Sequence, residues 1–326
     1  MAAVAIALLA LAGCVSSQPV AAQSRLIHQF PPGVWVENLA VRPNGNLLLT
    51  TLVPNASIYE VVNPAGPAPS TQLRFTIPSV NSLFGIAELS PDRFAVLAGN
   101  HTPTAGLPGQ WAVHTATWGG VKPPTKASRA AVLPDAVLLN GAAPLPGNPD
   151  VVLAADSTVG VVFRVNVRTG RVDLVLDLPE MKPVGGTTYS IGINGLRVRD
   201  ASLYFTNSAT HALYRVGINT DGSIAQGARV ETVKVLDASF ADDFDLGPAL
   251  GSTAWVATNM DSSVVAVAPG GQARVAAGGV DSPVIPSDTS CRFGRTVADA
   301  NVLYVTTAGK GGEGAKVVAI NVGTGT

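Results

Sequence analysis

Short apolar runs recur along this chain: Leu47 to Thr50, Phe94 to Leu97, Val151 to Ala154, Leu203 to Thr206, Ala254 to Ala257 and Leu303 to Thr306. Each is rich in β-branched, aromatic or small residues and is bounded by Gly, Pro, Asn or Asp, the pattern of a buried strand between turns. Similar second runs follow at Ser57 to Val61, Gly160 to Val165, Ala212 to Val216 and Ser263 to Val267. Ahead of each first run stands a short opening segment. The six openings are Glu37-Asn38, Phe84-Gly85, Asn140-Gly141, Asn194-Gly195, Asp243-Phe244 and Phe293-Gly294, at spacings of 47 to 56 residues. A repeat of about fifty residues with four short strands is one propeller blade. The pattern therefore predicts an all-β, six-bladed β-propeller. A single blade cannot bury both faces, so the ring must close. The strand at 25–30 precedes the first opening and is expected to pair with 316–322, completing the last blade and removing a free edge. Beyond residue 13, no segment of ten or more residues carries the period of an amphipathic helix.

The first thirteen residues are apolar and uncharged, and the first charge is Arg25. That run is too short for a bilayer of ~30 Å and has the length of a secretory h-region. Residues 1–22 are read as a signal peptide, with a cut after Val20-Ala21-Ala22. Residues 23–326 are read as one propeller domain, secreted or in a secretory lumen. Lipoprotein processing at Cys14 is the alternative. Without the signal, Cys291 is the only cysteine, so no internal disulfide is expected. Asn55-Ala56-Ser57 and Asn100-His101-Thr102 make Asn55 and Asn100 candidate glycosylation sites.

With 21 Lys+Arg against 22 Asp+Glu, the chain lacks the basic footprint of a nucleic-acid binder. Its 47% hydrophobic content excludes disorder. No later stretch reaches eighteen apolar residues, so no membrane span is expected. Gly309-Lys310-Gly311-Gly312 lacks phosphate-loop spacing, and no organic cofactor is implied.

The opening strand of each blade lines the central channel. By position the six equivalent residues are Glu37, Phe84, Asn140, Asn194, Asp243 and Phe293. Two carboxylates and two carboxamides suit a hard divalent cation such as Ca²⁺, held by Glu37, Asn140, Asn194 and Asp243. The ring has no His or Cys, which argues against zinc. Phe84 and Phe293, with Trp111, Trp118 and Tyr189 on loops, suit an apolar ring-shaped ligand. His101 is a candidate general acid at the mouth, and Arg295 a candidate binder of a developing oxyanion. Asp156, Ser157 and His211 can be assembled into a triad only on paper, because no Gly-x-Ser-x-Gly turn is present.

The chain resembles the senescence-marker/gluconolactonase-like six-bladed propellers, and in particular their secreted fungal branch. The resemblance rests on Ile193-Asn194-Gly195-Leu196 with Leu203 to Ser208, on Asp242-Asp243-Phe244 with Trp255 to Asn259, and on Phe293-Gly294-Arg295 with Leu303 to Thr307. It implies metal ligands at Glu37, Asn140, Asn194 and Asp243, with Asp242 as the alternative to the last. The lactonase motif Glu-Gly-Pro-x-Trp on blade one is absent; Glu37 is followed by Asn38-Leu39-Ala40-Val41. The fungal branch includes hetero-Diels–Alderases that join a tropolone-type quinone methide to a humulene-type sesquiterpene. The resemblance thus implies a cycloaddition, with Asp243, Asn194, Arg295 and His101 as catalytic candidates. Ca²⁺-dependent lactone hydrolysis and non-enzymatic ligand binding stand as alternatives.

Overall fold

The computed structural model describes residues 23–102, 104–119, 122–185, 191–248 and 251–323. The proposed signal peptide, Cys14 and Tyr189 lie outside them. The described chain forms six four-stranded antiparallel sheets and one short 3₁₀ turn, Pro179–Met181. Blades one to five are each built from four strands consecutive in sequence. Their inner strands are Trp35–Val41, Ser82–Ser90, Leu139–Leu145, Ile193–Arg199 and Phe244–Leu246. Blade six takes three strands from the C-terminal end, starting with Asp288–Phe293, and its fourth from the N-terminal side. The fold is the six-bladed propeller expected from the repeat.

The closing pair is Gln23–Gln29 against Lys316–Asn321, running from Gln23 opposite Asn321 to Gln29 opposite Lys316 with a one-residue slip between Leu26 and His28. The Phe30 N–H then donates to Ala315 C=O at 2.8 Å. Ile27 and Phe30 turn inward, and Phe30 meets Tyr59 edge-on at 5.1 Å.

Burial explains why the strand runs read as nearly continuous apolar segments. There is no single central core. Six apolar layers fill the gaps between consecutive blades, including one between blades six and one. The second and third strands of each blade are covered on both faces, so alternation is lost. Outer strands such as Ser70–Thr76 and Ala273–Gly278 are largely exposed and mixed in polarity. Among the described residues no helix is long and apolar enough to cross a membrane.

Candidate functional site

The inner strands carry a shared irregularity. In five blades the ladder to the second strand slips at an equivalent place: between Val36 and Asn38, Leu83 and Ile86, Leu139 and Ala142, Ile193 and Leu196, and Asp288 and Ser290. These bulges release Glu37, Phe84, Asn140, Asn194 and Thr289 from regular pairing, and bulges commonly re-aim side chains. Pairing also fixes the position in blade five. Phe244 lies opposite Val256 as Leu196 lies opposite Phe205, so Asp242 occupies the place of Asn194.

Register therefore corrects two ring assignments made from sequence. Asp242 stands where Asp243 was expected, and Thr289 where Phe293 was expected. The Phe293-Gly294 pair imitates Phe84-Gly85 in sequence but falls at the far end of its strand, with Phe293 opposite Leu303.

One residue further along is a second layer: Asn38, Gly85, Gly141, Gly195, Asp243 and Ser290. A Cβ on Gly141 would lie 2.0 Å from the Asn194 carbonyl oxygen, and one on Gly195 2.4 Å from Asp243 Oδ1. Glycine there lets neighbouring blades close around the axis. On the opposite side, Asn38 Nδ2 and Ser290 Oγ donate to Asp243 Oδ2 at 3.0 and 2.8 Å. Arg197 and Arg292 reach the same carboxylate at 3.1 and 3.4 Å. Asp243 is thus an interior ion-pair partner that does not line the cavity.

The cavity at this mouth holds about 750 Å³. Its polar side is Glu37, Asn140, Asn194 and Asp242; its apolar wall is Leu52, Phe84, Leu138, Ile191, Phe240 and Met260. Trp35 Nε1 donates to Glu37 Oε2 at 2.7 Å, and Asn259 Nδ2 donates to Asp242 Oδ2 at 3.0 Å. Burial pushes the Glu37 carboxyl up to about 7, against the Trp35 hydrogen bond and helped by the Asp243 charge. Burial also raises Asp242 well above the usual range, with the Glu37 charge adding to it. Two desolvated carboxyls in one ring demand neutralisation, by protons or by a cation.

The residues present fit a hard divalent cation. Asn194 Nδ2 donates to Ser208 Oγ at 3.0 Å, while Asn194 Oδ1 is buried with no hydrogen-bond partner. That orphaned oxygen, with oxygens of Glu37, Asp242 and Asn140, makes a donor set of carboxylates and amides. No group of three His, Cys, Asp or Glu side chains among the described residues is placed to hold a metal. A cation here would depend on amide oxygens and water.

The remaining sequence candidates divide. Phe84 and His101 line the cavity. Trp111 does not sit on a loop. It lies in the strand Gly106–Thr117, buried behind Phe84 at 5.4 Å, and its Nε1 donates to Leu107 C=O. Trp118 is buried against Phe75 and Phe94. Phe293 packs edge-on against Trp255 between blades five and six. Arg295 does not line the cavity; it ion-pairs with Glu88 and donates to Val41 C=O, at the other end of the inner strands. Asp156 caps the turns around it through four backbone N–H groups, and Ser157 Oγ donates to Ile193 C=O. No triad is assembled from them. Asn55 is exposed, whereas the Asn100 amide already donates to Gln110 Oε1 at 2.9 Å. Sequence reading missed Trp35, at the start of the blade-one inner strand, and Phe240, Asn259 and Met260, which reach the cavity from between strands. Only the Trp35-x-Glu37 spacing, which puts both side chains on one strand face, hinted at any of them.

No family model matches the chain. A candidate hetero-Diels-Alderase of Phoma sp is 31% identical over 304 residues, covering 87% of this chain and 86% of the relative. A second, from Sarocladium schorii, is 31% identical over 324 residues, covering 90% and 80%. Among solved structures, the calcium-binding regucalcin of Agrobacterium tumefaciens aligns with a TM-score of 0.62 at 14% identity, over 92% of this chain and 95% of the other. A gluconolactonase of Xanthomonas campestris aligns with a TM-score of 0.59 at 12% identity, over 92% and 89%. At such identities these two likenesses concern the fold.

Proposed function

The chain belongs to the hetero-Diels-Alderase family, and from that membership we propose that it joins an oxygenated heterodiene to an apolar polyene inside the channel-mouth cavity. It is an enzyme of pericyclase type. The substrate pair we favour is a tropolone quinone methide and a humulene-type sesquiterpene. One observation carries the reading to this site: a cavity of about 750 Å³ with a hydrocarbon wall on one side and a ring of buried acids and amides on the other.

A cycloaddition needs little covalent help. It needs both partners held in near-attack geometry away from water. In our reading, Leu52, Phe84, Leu138 and Ile191 contact the polyene. Glu37, Asp242, Asn140 and Asn194 face the heterodiene oxygen, which gains negative charge as its ring becomes aromatic. Hydrogen bonds aimed at that oxygen strengthen in the transition state. A carboxyl held up to about 7, such as Glu37, is partly protonated at neutral pH and donates one of them. The same four side chains would hold a divalent cation, whose Lewis acidity would act on that oxygen.

The test is to incubate the purified protein with a quinone-methide precursor and humulene and to resolve the products on a chiral column. A single enantiomer, formed faster than the racemic background, is expected. Phe84→Ala should erode selectivity. Glu37→Ala, which removes the carboxyl that donates to the oxyanion, should slow turnover by ~10²-fold. Racemic product at the background rate, together with turnover of aldonolactones, would replace this reading with lactone hydrolysis.

A further inference from the structure

Asn81, Ser82 and His101 form a compact network on the blade-two side of the cavity. The Asn81 amide brackets the His101 peptide unit. Its Oδ1 accepts from the His101 backbone N–H at 3.0 Å, and its Nδ2 donates to the His101 C=O at 2.8 Å. A backbone N–H only donates and a C=O only accepts, so the two contacts fix which end of the amide is oxygen. The same Oδ1 stands 3.3 Å from His101 Nδ1. Ser82 Oγ stands 3.1 Å from Nδ1. Its single hydrogen is directed at Gly99 C=O, 2.9 Å away, or at Asn81 Oδ1, 3.1 Å away. Asn81 Oδ1 can only accept, and with the Ser82 hydrogen on either carbonyl oxygen both atoms facing Nδ1 are acceptors; this arrangement puts the ring hydrogen on Nδ1.

Burial holds the His101 imidazole below its usual range, so the ring is neutral at neutral pH. A neutral imidazole with its hydrogen on Nδ1 presents a lone pair at Nε2. Nε2 has no partner among the described residues. The ring lines the cavity and is braced edge-on by Phe84 at 5.8 Å. In this state it has no proton to give at Nε2, which reverses the sequence expectation of a general acid.

We propose that His101 is a specificity-determining acceptor: its Nε2 receives the hydrogen bond of a ring hydroxyl on the oxygenated substrate, and Asn81 and Ser82 are positioning residues that keep it an acceptor. The proposal rests on the cycloaddition reading and names the substrate feature it selects. A ring with a hydroxyl beside a carbonyl presents both faces of this recognition. The carbonyl meets the donors of the acid–amide ring, and the hydroxyl meets Nε2. An O-alkylated analogue leaves Nε2 desolvated and unpaired, which costs affinity.

The experiment uses tropolone and its O-methyl ether as probes, with chelator present, by calorimetry on the full mature chain. The wild type is expected to bind tropolone roughly three- to tenfold more tightly than the ether, the ratio that one hydrogen bond supplies. His101→Phe should abolish that preference. His101→Gln, whose amide oxygen reaches the place of Nε2, should restore part of it. Imidazole ¹⁵N shifts of the free protein should show the hydrogen on Nδ1, and Ser82→Ala with Asn81→Ala should release that tautomer. A hydrogen on Nε2, an equal affinity for both probes, or a preference that survives His101→Phe overturns the proposal. Failure of the two readings is separable. Selective cycloaddition by a wild type without the preference removes only the role of His101. A preference with no cycloaddition keeps the acceptor and removes the pericyclase.

Discussion

His114 is buried in the third strand of blade two, its Nδ1 has no partner, and Arg129 stands opposite it in the ladder. Burial, with the Arg129 charge adding to it, pushes the imidazole down to about 4. The unfolded chain takes up that proton near the ordinary 6.5, so the folded state binds it less readily. The stability linked to this group is therefore complete above about pH 6.5 and declines as pH falls through that value towards 4. Thermal unfolding of the wild type and His114→Leu between pH 7.5 and pH 4.5 tests this. The variant should lose distinctly less of its melting temperature across that range. Parallel pH profiles would show that His114 titrates alike in both states. Because His114 does not line the cavity, the substitution should leave cycloaddition selectivity as it was.

At the scale of the element, the decisive device is the bulge at the start of the inner strand, followed by glycine in blades two to four. Gly141→Ala would drive its Cβ into the Asn194 carbonyl, since an ideal Cβ there lies 2.0 Å from that oxygen. The backbone cannot yield without moving the cavity ring, so a loss of about 1–3 kcal/mol is expected from overpacking. Product selectivity should suffer with it. Gly119→Ala, where nothing lies within 4 Å, should be close to neutral. Equal denaturation midpoints for the two variants would refute the close-approach argument.

The same device explains what could and could not be read beforehand. Strand runs, turn residues and the fifty-residue repeat made the blades and the closing pair legible. Glu37, Phe84, Asn140 and Asn194 were legible because each stands nine to eleven residues ahead of its apolar run, whereas Asp242 and Thr289 stand twelve and fourteen ahead of theirs. Asp242 and Thr289 were not, because a slip of one residue reverses the side a strand residue faces, and because Phe293-Gly294 copies the blade-two signature four residues too late. Trp111 misled for another reason. Its strand, Gly106–Thr117, extends well beyond the neighbouring ones, so a residue placed on a loop by spacing lies in the ladder behind Phe84.

The whole molecule is a ring of six apolar layers, and one of them is completed by the N-terminal strand. Ile27 and Phe30 belong to the layer that joins blade six to blade one, together with Val36, Leu39 and Tyr304. Val36 and Leu39 flank Glu37 on the same strand, so the closure also sets the position of a cavity acid. Phe30→Ala removes a buried aromatic ring that touches both His28 and Tyr59. The expected cost is about 3 kcal/mol, the lower end for such a truncation. Deleting 23–30 removes the strand as well and exposes the edge of Lys316–Asn321. Because each layer is shared by two blades, the loss should appear as a lower midpoint of one cooperative transition rather than as a separate early one. Chemical denaturation followed by both tryptophan fluorescence and far-ultraviolet dichroism tests this. Coincident, lowered midpoints are expected for the deletion, with selectivity lost in parallel as Glu37 loses its support. An unchanged midpoint would mean that the ring does not need its closing strand.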